Sequence, residues 1–116
     1  MMIRTERFRV RGVHFLFDPY FMEPRHGHEY FLEVSVKSEC PRENVQNVVE
    51  REIVKKWDAK DWNTMGLAQA TGELLVERFD EVLRGSEIGK DLVGLVLRET
   101  RKNRFVSEKS MTGFSD

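Results

Sequence analysis

The chain has a single cysteine, Cys40, so it can form no intrachain disulfide, and a covalently stapled scaffold is excluded. Only three prolines occur, and no Pro-rich, Gly/Ser-rich or repetitive tract marks a linker within the 116 residues. No apolar run approaches the roughly 20 residues that a membrane-spanning helix requires. The opening Met1-Met2-Ile3-Arg4-Thr5-Glu6-Arg7 carries charge where a secretory leader would be apolar, so a cytoplasmic protein is expected. An excess of one charge is missing too: 19 basic residues stand against 20 acidic ones, a formal net charge of -1. That balance supplies no global field for nucleic acid or an anionic membrane, and any anion must be captured locally. Histidine is scarce as well, with three in the chain, so their placement carries information.

What is present is enough apolar material, 40% of residues, for one core, and one domain spanning residues 1–116 is expected. From Thr5 to Phe17 apolar residues alternate with polar ones, Phe8 and Val10 in one phase and Val13, Phe15 and Phe17 in the other. This predicts a strand with a bulge or kink near Gly12. A second extended segment, His28 to Ser38, carries Tyr30, Leu32, Val34 and Val36 on one face, and the two segments are expected to pair antiparallel. After Cys40-Pro41, the positions Val45, Val48, Val49, Ile53 and Trp57 follow helical spacing. A loop over Asp58 to Ala70 leads to a second helix. Thr71 is its candidate N-cap, Glu73 lies in the first turn, Leu74, Leu75, Phe79, Val82 and Leu83 form its stripe, and Gly85 is its stop. Leu92 to Leu97 and Arg104 to Ser107, with a turn at Lys102-Asn103, complete the order β-β-α-α-β-β. The fold class is α+β, a four-stranded antiparallel sheet with two helices on one face. Such a sheet leaves edges open, and pairing of subunits into a barrel would close them, so a homo-oligomer is expected.

His26-Gly27-His28 places two imidazoles at i and i+2, on one side of an extended segment, with Gly27 leaving the other side clear. His14 lies near the end of the strand expected to pair with this one. Three neutral nitrogens leave one position open on a tetrahedral zinc, the pattern of a catalytic site. A solvated His-x-His on a surface strand is the plainer alternative, and an imidazole-only set also accepts other divalent metals.

With those residues in place, the sequence resembles the 6-pyruvoyltetrahydropterin synthase and 6-carboxytetrahydropterin synthase family. The matching features run through Phe8 to Gly12-Val13-His14, His26-Gly27-His28-Glu29-Tyr30, Asp58 with Asn63, Thr71-Gly72-Glu73, and Val96-Leu97-Arg98-Glu99-Thr100. The resemblance implies the T-fold, assembly as trimers or stacked hexamers with sites between subunits, and a reduced pterin as substrate. It implies that His14, His26 and His28 hold zinc, and that Glu99 grips the amino-pyrimidine edge of the pterin with Thr100 beside it. Without the resemblance, Glu99 reads as a solvated acid at a strand end. Thr71 and Glu73 are further substrate-binding candidates, from a neighbouring subunit in the family pattern, and helix capping accounts for them equally.

Two departures alter the expected chemistry. Where the family's cysteine base stands, four residues before the first histidine of His-Gly-His, this chain has Met22, and Glu23 follows. The run Glu23-Pro24-Arg25-His26-Gly27-His28 resembles a variant branch in which a glutamate replaces the cysteine. That branch cuts the side chain of 7,8-dihydroneopterin, as a dihydroneopterin aldolase does, to 6-hydroxymethyl-7,8-dihydropterin. Where the family has an Asp-His pair, this chain has Asp58-Ala59, followed by Lys60 and Asp61. Glu23, Asp58 and Lys60 are the catalytic candidates, with Lys60 read as a general acid or as a solvated lysine. Two alternatives stay open: synthase chemistry with a rebuilt proton relay, and a non-catalytic pterin- or zinc-binding homologue. Arg25, Arg98 and Arg101 are the side chains that could receive a phosphate.

Overall fold

In the computed structural model the described residues are 2–14, 26–61, 72–99 and 104–110, with the backbone alone described at 13, 14, 26–28 and 61. Strand β1 (Ile3–His14) and strand β2 (His26–Lys37) form an antiparallel ladder in which every pair from Ile3↔Lys37 to His14↔His26 is in register. The predicted bulge at Gly12 is therefore absent. The change of apolar phase has a different cause: Phe8 and Val10 lie on one face of an unbroken strand and Val13 on the other, because successive residues alternate sides. The irregularity falls instead between Ser35 and Val36, where β2 pairs with β4 (Leu92–Glu99). β5 (Arg104–Val106) closes that side of the sheet, antiparallel to β4.

Four antiparallel strands and two helices on one face thus appear as the pattern predicts, with one addition inside the expected 58–70 loop. Lys60–Asp61 forms β3, a two-residue strand that pairs parallel with Gly12 and Val13, giving the sheet order β3-β1-β2-β4-β5. Two residues carry no periodicity, so no alternation signal could have revealed it.

The first helix runs from α1 (Arg42–Val49) through a π-helical stretch, Glu50–Val54, into α2 (Lys55–Trp57). The Lys55 N–H bonds to the Glu50 carbonyl, one residue further back than α-helical geometry requires. Despite that widened turn, Val45, Val48, Val49, Ile53 and Trp57 are all buried, as their spacing predicts. The second helix, α3 (Gly72–Arg84), buries Leu75, Val76, Phe79 and Leu83 and ends before Gly85. Trp57 meets Phe79 edge to face at 5.2 Å between ring centres, joining the two helices over the sheet. Val10, Leu32, Val34, Val36, Leu95 and Leu97 form the sheet's side of this core. Aliphatic side chains buried in this way contribute about 1.5–3 kcal/mol each relative to exposure.

Because the core occupies the even-numbered positions of β1 and β2, every other even position on that ladder shares the helix-facing side. The opposite face carries charge. Arg7 and Arg98 approach Glu33 at 4.0 and 3.1 Å, Arg9 approaches Glu29 at 3.7 Å, and Arg7 stacks over Phe31 at 4.2 Å. No helix among the described residues is long and apolar enough to cross a membrane.

Candidate functional site

The register brings the three histidine positions together. His14 lies directly opposite His26, and His28 lies opposite Gly12, so positions 14, 26 and 28 all fall on the helix-facing side at one end of the β1–β2 ladder. The side chains there are outside the described part, and among the described residues no cluster of three metal-binding side chains occurs. The test of fit is therefore a backbone one. Two strands in this register bring three imidazole-bearing positions to one face within three successive residue pairs, a placement that a three-nitrogen site needs.

The same row extends across β1. Lys60 of β3 pairs with Gly12, which pairs in turn with His28. Lys60, Gly12 and His28 therefore occupy one face in successive strands, about 4.8 Å apart per step. The residue between Lys60 and His28 has no side chain to obstruct the path.

Local chemistry explains how β3 is held there. Asp58 ends the helical rod, its N–H bonded to the Val54 carbonyl at 2.8 Å. Its Oδ1 accepts the Arg11 backbone N–H at 2.8 Å, and its Oδ2 pairs with Arg11 Nη2 at 3.2 Å. The Arg11 guanidinium, bonding first by hydrogen bond and then by charge, holds the Asp58 carboxyl below its ordinary range. Ala59 follows with a left-handed backbone, φ 59°, and donates its N–H to the Arg11 carbonyl at 2.7 Å. The Asp58 carboxylate is thus engaged in fastening the turn to β1, and Lys60, next in line, is exposed.

Two residues beyond His28 along β2, Tyr30 lies opposite Glu99 at the end of β4. Tyr30 is 3% exposed. Burial, then the charges of Glu99 and of Glu73, push its phenol above the ordinary tyrosine range. Glu73, in the first turn of α3, therefore acts on the same phenol as Glu99 within one chain. A cleft of about 360 Å³ opens beside Glu73 between α3 and β5, with Phe105 and Arg104 on its wall. Gly72 lets α3 close on β5, because a Cβ there would meet the Phe105 ring.

Of the predicted site residues, the fold brings the positions of His14, His26, His28 and Lys60 to one face at one end of the sheet and sets Glu99 opposite Tyr30. Glu23, Thr71 and Thr100 lie outside the described residues, as do Met22, Arg25 and Arg101. Arg98 does not join this face: it pairs with Phe31 in register and its guanidinium bonds Glu33 on the charged side. Cys40 lies past Lys37 at the far end of β2, roughly 30 Å along the strand from His28. Its thiol is buried and raised above the ordinary range by burial and then by Asp91. Tyr30, Gly12 and Arg11 were not singled out from the sequence as site residues. The signal for Tyr30 was its place two residues beyond His28 on the same face, which a core assignment absorbed.

No protein-family model and no curated protein matches the chain. The fold itself is that of a tetrahydropterin synthase. Among solved structures, the 6-pyruvoyl tetrahydropterin synthase of Caenorhabditis elegans superposes with a TM-score of 0.70 over 90% of this chain and 93% of that one, at 15% sequence identity. At that identity the likeness establishes architecture.

Proposed function

We propose that this chain is a zinc-dependent lyase of reduced pterins, cutting the side chain of 7,8-dihydroneopterin or its triphosphate to 6-hydroxymethyl-7,8-dihydropterin. The observation that carries the reading is the register that sets His14 opposite His26 with His28 one alternate position on. His14, His26 and His28 would hold the zinc, which supplies Lewis acidity to the substrate's side-chain hydroxyls. Glu99, with Thr100, binds the amino-pyrimidine edge of the pterin, while Thr71 and Glu73 complete the pocket from the start of α3. In the reaction, Glu23 takes the proton of the C2′ hydroxyl. The C1′–C2′ bond then breaks, a two-carbon aldehyde leaves, and its electron pair is delocalised into the ring until C1′ takes a proton. Lys60 is the donor of that proton, reaching across Gly12 where the family has a histidine at the position of Ala59. Asp58 acts through Arg11 to hold the turn that delivers Lys60.

The whole chain is proposed as one pterin-binding domain, and its active form as a homo-oligomer, trimer or hexamer, with sites completed between subunits. Incubation of zinc-loaded protein with 7,8-dihydroneopterin and with its triphosphate, followed by separation of products, tests the reading. Hydroxymethyl product with release of a two-carbon aldehyde is expected, with one zinc per chain. Release of triphosphate without side-chain cleavage would instead establish synthase chemistry, the second reading, which the likeness to the C. elegans enzyme favours. Tight pterin binding without turnover would mark a non-catalytic homologue and overturn both.

A further inference from the structure

Tyr30 is a buried phenol on the face that carries the histidine positions and the core, and it has a carboxylate directly opposite it in register. Directly opposed residues in an antiparallel pair have Cβ atoms about 4.5–5.5 Å apart, within side-chain reach. A buried tyrosine hydroxyl requires a partner, and phenylalanine would fill the same space without one. The phenol has one proton to donate, and Glu99 is the carboxyl-bearing residue that the register sets opposite it. Glu99 is fixed by the sheet. Glu73 is exposed and lines the cleft beside α3.

We propose that Tyr30 is a positioning residue whose hydroxyl donates to the Glu99 carboxylate and fixes its plane for the paired N–H donors of a bound pterin, leaving Glu73 to face the cleft. The inference rests on the functional reading above for the ligand's identity, and on the β2–β4 register for the contact itself. Two readouts separate them. In ligand-free protein labelled at tyrosine Cζ, the chain's two tyrosines give two resonances, and Tyr20→Phe identifies that of Tyr30. Glu99→Gln should shift the Tyr30 resonance more than Glu73→Gln does; a resonance indifferent to Glu99→Gln overturns the contact. Tyr30→Phe should weaken binding of 6-hydroxymethyl-7,8-dihydropterin about tenfold, in line with a lost hydrogen bond to a charged group. It should raise KM by a similar factor while kcat falls far less, and Tyr30→Phe combined with Glu99→Gln should bind little worse than Glu99→Gln alone. Wild-type affinity in Tyr30→Phe overturns the positioning role. If wild-type protein binds no pterin while the Tyr30 resonance still follows Glu99→Gln, the functional reading and the ligand role fall and the contact stands.

Discussion

Asp58 illustrates how one side chain can be read in two ways and what decides between them. By resemblance it is half of an acid/base pair, whereas its carboxylate accepts both the backbone N–H and the guanidinium of Arg11. A carboxyl whose folded pKa is lowered contributes stability that is present above its unfolded pKa, near 3.9, and is lost as pH falls through the lower folded value. Asp58→Asn should therefore cost about 1 kcal/mol at neutral pH, the scale of a partly exposed ion pair. The gap between wild type and variant should close below about pH 4. Urea titrations across pH 2–7 check this, and a gap that persists at pH 2 would show that the ion pair is not its source. Ala59 shows the cost side of the same turn: a left-handed φ is strained by about 1–2 kcal/mol for a residue with a Cβ. The hydrogen bonds that Asp58 and Ala59 make to Arg11 offset that strain and hold β3 in place.

Among the elements, α3 and β5 approach closely at Gly72. Gly72 begins the helix directly over Phe105, so Gly72→Ala must displace that ring or lift the helix. Overpacking of this kind costs about 1–3 kcal/mol. The gain in helix propensity from alanine, about 1 kcal/mol in a helix interior, is smaller at a first helical position. A lower urea midpoint is expected for Gly72→Ala; a midpoint equal to or above wild type would mean the helix and β5 do not close as described. Since Glu73 follows at once, the same substitution should also weaken ligand binding at the cleft. The helices and long strands were legible because their buried residues recur at 3.6 or 2, and all five apolar positions of the first helix proved buried. β3 was not, because its place depends on the Asp58–Arg11 clamp, a contact 47 residues apart in sequence.

At the scale of the whole molecule, the sheet has an edge that the described residues leave largely open. β3 covers only Gly12 and Val13 of the twelve-residue β1, so no strand among the described residues pairs with the outer edge of its remaining length. Exposed edges of that length invite pairing with another chain. The proposed oligomer predicts a solution mass that is a multiple of 13.7 kDa, measured by light scattering, and a melting temperature that rises with protein concentration. A monomer at every concentration, with full pterin turnover, would remove the need for sites between subunits.

Local patterning alone determined the α+β class, the antiparallel pairing of the first two strands, the extent of α3 and the candidate zinc ligands. Each depends on residue types and spacing along the chain, and the spacing within a segment is set by the period of the backbone. Tertiary structure decided that β1 runs unbroken past Gly12, that Lys60 shares a row with Gly12 and His28, and that Glu99 lies opposite Tyr30. Those outcomes depend on which residue of one strand lies opposite which residue of another, and on which carboxylate a buried phenol finds. Register and burial belong to the assembled sheet, and no single segment encodes them. The histidines could be named from the sequence as a set; only the pairing of His14 with His26 places them at one end of one face.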